Sequence, residues 1–65
     1  MPIITFEGPV IDNIETKRVL AKKLTDAVAE TFEHIPRDAI IVLIKENSPT
    51  NTGKGGTLLA DLFGK

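Results

Sequence analysis

Ala39-Ile40-Ile41-Val42-Leu43-Ile44 is the longest uninterrupted apolar run in the chain, and its reading decides the fold. It carries no polar alternation, which suits a strand covered on both faces, as in a parallel sheet packed under helices. It is far too short to span a bilayer, which takes about 20 apolar residues. Pro36 lies just before it, and an amphipathic pattern lies before Pro36. Leu20, Leu24, Ala27, Val28, Thr31, Phe32 and Ile35 recur at spacings of three and four, the signature of one apolar helical stripe. Lys22, Lys23, Asp26, Glu30 and Glu33 fall on the other side. Asp12 is placed to cap this helix, and Glu15 three residues on completes a capping-box-like pattern. Proline disfavours helical geometry in the residue before it, so the pattern stops at Ile35-Pro36. The spacing predicts a helix over 13–34.

Further back, Pro2-Ile3-Ile4-Thr5-Phe6-Glu7 is apolar and β-branched, and Gly8-Pro9 closes it. It reads as a first strand beginning at Pro2, where a missing amide donor costs little. Strand, helix, strand in that order implies a right-handed crossover between parallel strands. One helix leaves one sheet face bare and both edges open, which calls for pairing with other subunits. Forward of the second strand, Asn47 to Gly56 is a loop holding Gly53, Gly55 and Gly56, a tight hairpin needing positive φ. The tail from Thr57, with Leu58, Leu59, Leu62 and Phe63, reads as a final helical turn or as an arm packing on a neighbour. The expected fold class is α/β. It is one domain over residues 1–65, a β-α-β unit with parallel strands plus a carboxy-terminal hairpin or arm, assembled into an oligomer.

Composition points to assembly too. A chain of 65 residues buries only about 60% of the surface exposed in its unfolded form. Domains of this size usually need a staple. The absence of cysteine removes disulfides and thiolate metal sites, and the single histidine, His34, cannot supply a nitrogen-rich metal site. Oligomerisation remains. Eight basic and nine acidic residues leave a net charge of −1, and only 5% are aromatic, which speaks against a nucleic-acid partner. No charged region followed by an apolar one opens the chain, so a signal peptide is not expected. The reading is a soluble cytoplasmic protein with no membrane partner and no cofactor.

Among candidate chemical groups, Pro2 comes first. Once Met1 is removed it carries a basic secondary amine; in peptide linkage that lone pair is delocalised. To act as a general base near neutrality the amine must be largely unprotonated, which burial or nearby cations promote. The bland alternative is a proline that simply starts a strand. Gly53-Lys54-Gly55-Gly56 lacks the spacing of a phosphate-binding P-loop, and a hairpin is its better reading. His34 at the predicted helix end complements the helix dipole. Lys17-Arg18 and Lys22-Lys23 read as a solvated helix face. Glu7, Asp38 and Glu46 show no pairing in sequence.

Taken together, Met1-Pro2, a strand ending in Glu7-Gly8, the helix pattern and the late Gly53-Lys54-Gly55-Gly56 turn make the chain resemble the 4-oxalocrotonate tautomerase family over nearly its whole length. The resemblance implies an isomerase whose amino-terminal proline moves a proton between carbons of an unsaturated 2-keto acid through a dienolate. It also implies arginines that bind the substrate carboxylates, and a hexamer built from dimers whose strands join in one sheet. Three positions depart from the family pattern. Pro9 stands where the family's first catalytic arginine follows the Glu-Gly pair, Ile41 stands where the second arginine lies, and Thr52 stands where the family has an active-site phenylalanine. Pro2 is therefore the one catalytic residue carried across. Arg37, just before the second strand, and Lys54, in the hairpin, are the candidate substrate-binding cations; Lys45 is a weaker one. Two alternatives stand beside a tautomerase. One is a proline-based hydratase or dehalogenase using Asp38 or Glu7 to activate water, and the other is a non-catalytic oligomeric domain with a degenerate site.

Overall fold

A computed structural model describes residues 1–64. The elements in order are β1 (Ile3–Pro9), α1 (Ile14–Thr31), a 3-10 turn (Arg37–Ala39), β2 (Ile41–Asn47), a second 3-10 turn (Pro49–Asn51), β3 (Gly53–Lys54), β4 (Thr57–Leu58) and α2 (Leu59–Leu62). β1 and β2 pair in parallel, with Ile3 opposite Ile41 and each pair following in step to Pro9 opposite Asn47. β3 and β4 pair antiparallel. Gly55 at φ 63° and Gly56 at φ 88° turn between them, a left-handed pair that side chains rarely adopt. The expected β-α-β unit with a carboxy-terminal hairpin is the architecture observed, and α2 makes the tail a helical turn.

Several boundaries move. β1 continues through Gly8 and Pro9 instead of closing at Glu7, because Pro9 ends the ladder and Gly8 fits beneath the Phe6 ring. β2 spans Ile41–Asn47, not 39–44, since Ala39 belongs to the 3-10 turn and Lys45-Glu46-Asn47 stay in the ladder. Asn13, not Asp12, caps α1: its side chain accepts from the Glu15 amide at 2.8 Å. The helix stops at Thr31, three residues short of 34. Phe32 already has extended backbone, and a turn closed by the Ile35 amide on the Phe32 carbonyl at 3.2 Å starts the return to β2. His34 consequently lies in that turn, outside the helix.

The burial pattern corrects the expectation for Ala39–Ile44. Alternate residues of β2, Val42 and Ile44, are half-buried with Ile4 and Phe6 of β1 on the face that α1 covers. Ile3, Ile41 and Leu43 on the other face remain exposed. The protomer thus covers one face of this sheet, not two. Ile40, 9% exposed, is the buried apolar residue of the described chain. A folded monomer of 7.1 kDa exposes about 4,100 Å², whereas this protomer exposes 5014 Å². Its radius of gyration, 15.6 Å over extents of 48 × 24 × 14 Å, compares with about 11 Å for a compact chain of this length. The chain by itself is an open slab with one apolar sheet face uncovered.

One polar clamp holds the β1–α1 connection on the sheet. The Glu46 carboxylate accepts from the Ile11 amide at 2.8 Å, and Lys17 approaches the same oxygen at 3.1 Å. Lys17 is thus a half-buried partner rather than part of a solvated face. The Ile11 hydrogen bond first, and Lys17 second, hold the Glu46 carboxyl below the usual carboxylate range.

Two outcomes follow from this packing. A Cβ at Gly8 would lie 2.8 Å from Phe6 Cζ and 3.0 Å from Cε2, so the tip of the half-buried Phe6 ring must move and Gly8→Ala should cost about 1 kcal/mol of stability in chemical denaturation, the low end for overpacking. A folded carboxyl pKa below its unfolded value stabilises above the unfolded value and loses that contribution as pH falls through the folded one. The stability difference between wild type and Glu46→Gln, compared at one protomer concentration, should therefore be widest near neutrality and close as pH drops below the usual glutamate range. A difference independent of pH would contradict the clamp.

Candidate active site

Pro2 sits immediately before β1 and is half-buried, while Met1 is 85% exposed. The Pro2 carbonyl accepts from the Ile41 amide at 3.0 Å, so the residue is already fixed in the parallel ladder although its own nitrogen has no hydrogen to donate there. Ile40, the buried residue of the described chain, adjoins this end of the sheet.

Arg37 opens the 3-10 turn that leads into β2, at the same end of the sheet as Pro2. Its guanidinium is held by Asp26 of α1 at 2.5 Å, and Lys22 reaches the other Asp26 oxygen at 3.0 Å. Hydrogen bonds from Lys22 and then Arg37 keep the Asp26 carboxyl below its ordinary range. Arg37 is still half-exposed along its side chain, 52%, so its other donors are open to a ligand. Asp38 is exposed in the same turn.

Lys54 lies in β3, exposed, beyond the opposite end of the parallel sheet. Glu7 and Lys45 face each other in register on the exposed sheet face. Glu7 accepts from Asn47 Nδ2 at 3.0 Å, so it is engaged as a hydrogen-bond acceptor rather than set beside Pro2. One protomer therefore brings Pro2 and Arg37 to one end and leaves Lys54 at the other.

A cleft of about 320 Å³ opens at that other end, lined by Gly8, Pro9, Asn47, Pro49, Thr52, Leu59 and Phe63. The Leu59 amide donates to the Thr52 carbonyl at 2.8 Å, and Thr52 Oγ1 donates to the Ser48 carbonyl at 2.9 Å, which hold α2 and the second 3-10 turn together as its walls. It lies about 20 Å along β1 from Pro2, six residues at roughly 3.3 Å each. The cavity and the candidate base thus occupy opposite ends of one strand. Sequence reading missed Asn47, Pro49, Leu59 and Phe63 as lining residues; the apolar tail was the signal, but only the hairpin's turn directs it back to the strand ends. Among the described residues no three Asp, Glu or His side chains cluster closely enough to hold a metal ion. No helix of these residues is long and apolar enough to cross a membrane.

The family model described as tautomerase enzyme matches residues 2–62. DmpI from Archaeoglobus fulgidus is similar in structure at 37% identity, covering 92% of this chain and 100% of its own, with a TM-score of 0.73. YwhB, a homologue of 4-oxalocrotonate tautomerase, is similar at 32% identity over 92% of this chain and 97% of its own, with a TM-score of 0.78. A heterohexamer 4-oxalocrotonate tautomerase from Chloroflexus aurantiacus is similar at 29% identity over 95% and 98% of the two chains, with a TM-score of 0.76. Comparison with curated protein sequences gives no significant match.

Proposed function

This chain belongs to the tautomerase enzyme family, and on that footing we propose that it is an isomerase in which Pro2, freed by removal of Met1, is the general base. The observation that carries this reading is the position of Pro2 at the head of β1, half-buried and tied to β2 by the Ile41 amide at 3.0 Å. A base held by backbone on a rigid strand keeps its geometry through a proton transfer. The neutral nitrogen takes a proton from the enol oxygen or from an allylic carbon of an unsaturated 2-keto acid. The electrons pass to an enolate or dienolate, and the prolinium returns the proton to another carbon. Arg37 and Lys54 are the cations proposed to hold the substrate carboxylate and the developing oxyanion.

The site is completed by other subunits. Antiparallel pairing of two β1 edges about their centre brings Pro2 of one protomer to the Gly8-Pro9 end of the next, where the cleft opens. The exposed Ile3, Ile41 and Leu43 supply an apolar face for a further layer of copies. A hexamer fits both surfaces, and burial there lowers the basicity of the Pro2 amine by disfavouring its ammonium form.

One observation favours the alternative of a non-catalytic domain: Arg37 is already engaged by Asp26, and Pro9 and Ile41 offer no charge in its stead. The two readings separate in one experiment. Ketonisation of phenylenolpyruvate by the natural protein should proceed once intact mass confirms loss of Met1, and Pro2→Ala should lower kcat/KM by at least about 100-fold. Undiminished turnover in Pro2→Ala, or in a form that keeps Met1, would overturn the proline base. Absence of turnover from a correctly processed, folded oligomer would favour the non-catalytic domain.

A further inference from the structure

The apolar cleft says something about the substrate that the position of Pro2 does not. Its walls are Pro9, Pro49, Thr52, Leu59 and Phe63, with Gly8 and Asn47 at the strand ends. None is charged. The volume, about 320 Å³, falls at the lower end of the range for small-molecule sites, roughly 300–1,000 Å³. Phe63 lines this space yet is 69% exposed, an unusual placement for a large aromatic side chain unless something packs on it.

The charges around the cleft are as informative as its lining. Asn47 spends one amide hydrogen on the Glu7 carboxylate at 3.0 Å, and Gly8 is paired in the ladder with Glu46, so the charged groups tied to these two lining residues are anions. Lys45, the register partner of Glu7, lies on the exposed sheet face and is not part of the lining. From Ser48 to Gly64 the sole cation is Lys54, two residues past Thr52 in the hairpin, and the sole anion is Asp61. A carboxylate driven into the cleft would lose its water, gain no cation from the lining and approach Glu7. Burying an unpaired charge in such surroundings is strongly unfavourable.

We infer that this cleft receives the uncharged end of the substrate, which makes the substrate class an enol of a 2-keto acid bearing one carboxylate and a compact aromatic or branched aliphatic group. The single carboxylate is left for a cation outside the cleft, and the ring or alkyl group stacks on Phe63 and Leu59 between the two prolines. This rests on the tautomerase reading for the reaction, but the cleft's preference is a binding property that stands or falls without it.

The test is therefore binding to the assembled protein, with two carboxylate probes of similar length: 3-phenylpropanoate, with one carboxylate and a ring, and hexanedioate, with two. Amide chemical shifts of Gly8, Thr52, Leu59 and Phe63 are followed in each titration. The expected result is a dissociation constant for 3-phenylpropanoate at least tenfold below that for hexanedioate, with the shifts centred on those residues. Phe63→Ala should weaken 3-phenylpropanoate binding by about tenfold. Because a loss can follow from misfolding, Pro9→Arg supplies a gain: it places a cation at the cleft and should tighten hexanedioate severalfold while weakening the preference for the ring. Equal or tighter binding of hexanedioate by the natural protein, or shifts that avoid the cleft, would overturn the inference. If Pro2→Ala keeps full turnover while the ring preference persists, the proline base fails and the cleft assignment survives.

Discussion

The parallel ladder between Ile3–Pro9 and Ile41–Asn47 is the interaction on which the rest of the molecule depends. It fixes Pro2 through the Ile41 amide, sets the 3-10 turn with Arg37 beside the same end, and brings Gly8, Pro9 and Asn47 together at the other. A parallel pair needs a crossover, and among the described residues α1 is the one long element that provides it, so one face of the sheet is covered and one is not. The ladder alone cannot be stable in water, since two strands under one helix bury too little apolar surface. Hence the exposed Ile3, Ile41 and Leu43, and a protomer extending 48 Å along its longest axis. The same shortage of cover on which the proposed assembly rests also leaves the cleft open.

Much of this fold was legible in the sequence, for reasons particular residues make clear. The three-and-four spacing through Leu20, Leu24 and Val28 marked α1, and the unbroken Ala39–Ile44 run marked a second strand, although without alternation it hid which residues face the helix. Gly55 and Gly56 declared a hairpin because only a turn with two positive φ values needs them there. The ends were harder. Asp12 is the cap that the spacing to Glu15 suggests, but Asn13 takes the role, while the preceding Ile11 amide is held by Glu46. No local signal predicts that clamp, since it joins residues 35 positions apart. Val42 and Ile44 face α1 while Ile41 and Leu43 face away, and a run of apolar residues cannot tell a covering helix from a covering partner.

The site was less legible than the fold. Pro2 and Arg37 come to the same end of the sheet, as their places before the two parallel strands require. The pairing of Arg37 with Asp26, and of Glu7 with Asn47, were invisible without the packing of α1 and the strand register. Both pairings bear on chemistry. Asp26 tempers the one arginine near Pro2, and Glu7 adds a negative charge next to a cleft already without cations. Pro9, Ile41 and Thr52 carry no charge, so in the proposed mechanism burial is the means of keeping the prolyl amine neutral.

That proposed neutrality is the central claim, and it is directly measurable. Nitrogen-15 labelling of the proline residues, followed by pH titration of the assembled protein, reports the protonation of the Pro2 amine separately from every other group. The expected result is a free amino-terminal Pro2 that titrates below the ordinary range for an α-amino group, roughly 7.7–8, and is largely neutral at pH 7. A Pro2 nitrogen still in peptide linkage to Met1, or one that stays protonated throughout the neutral range, would contradict it.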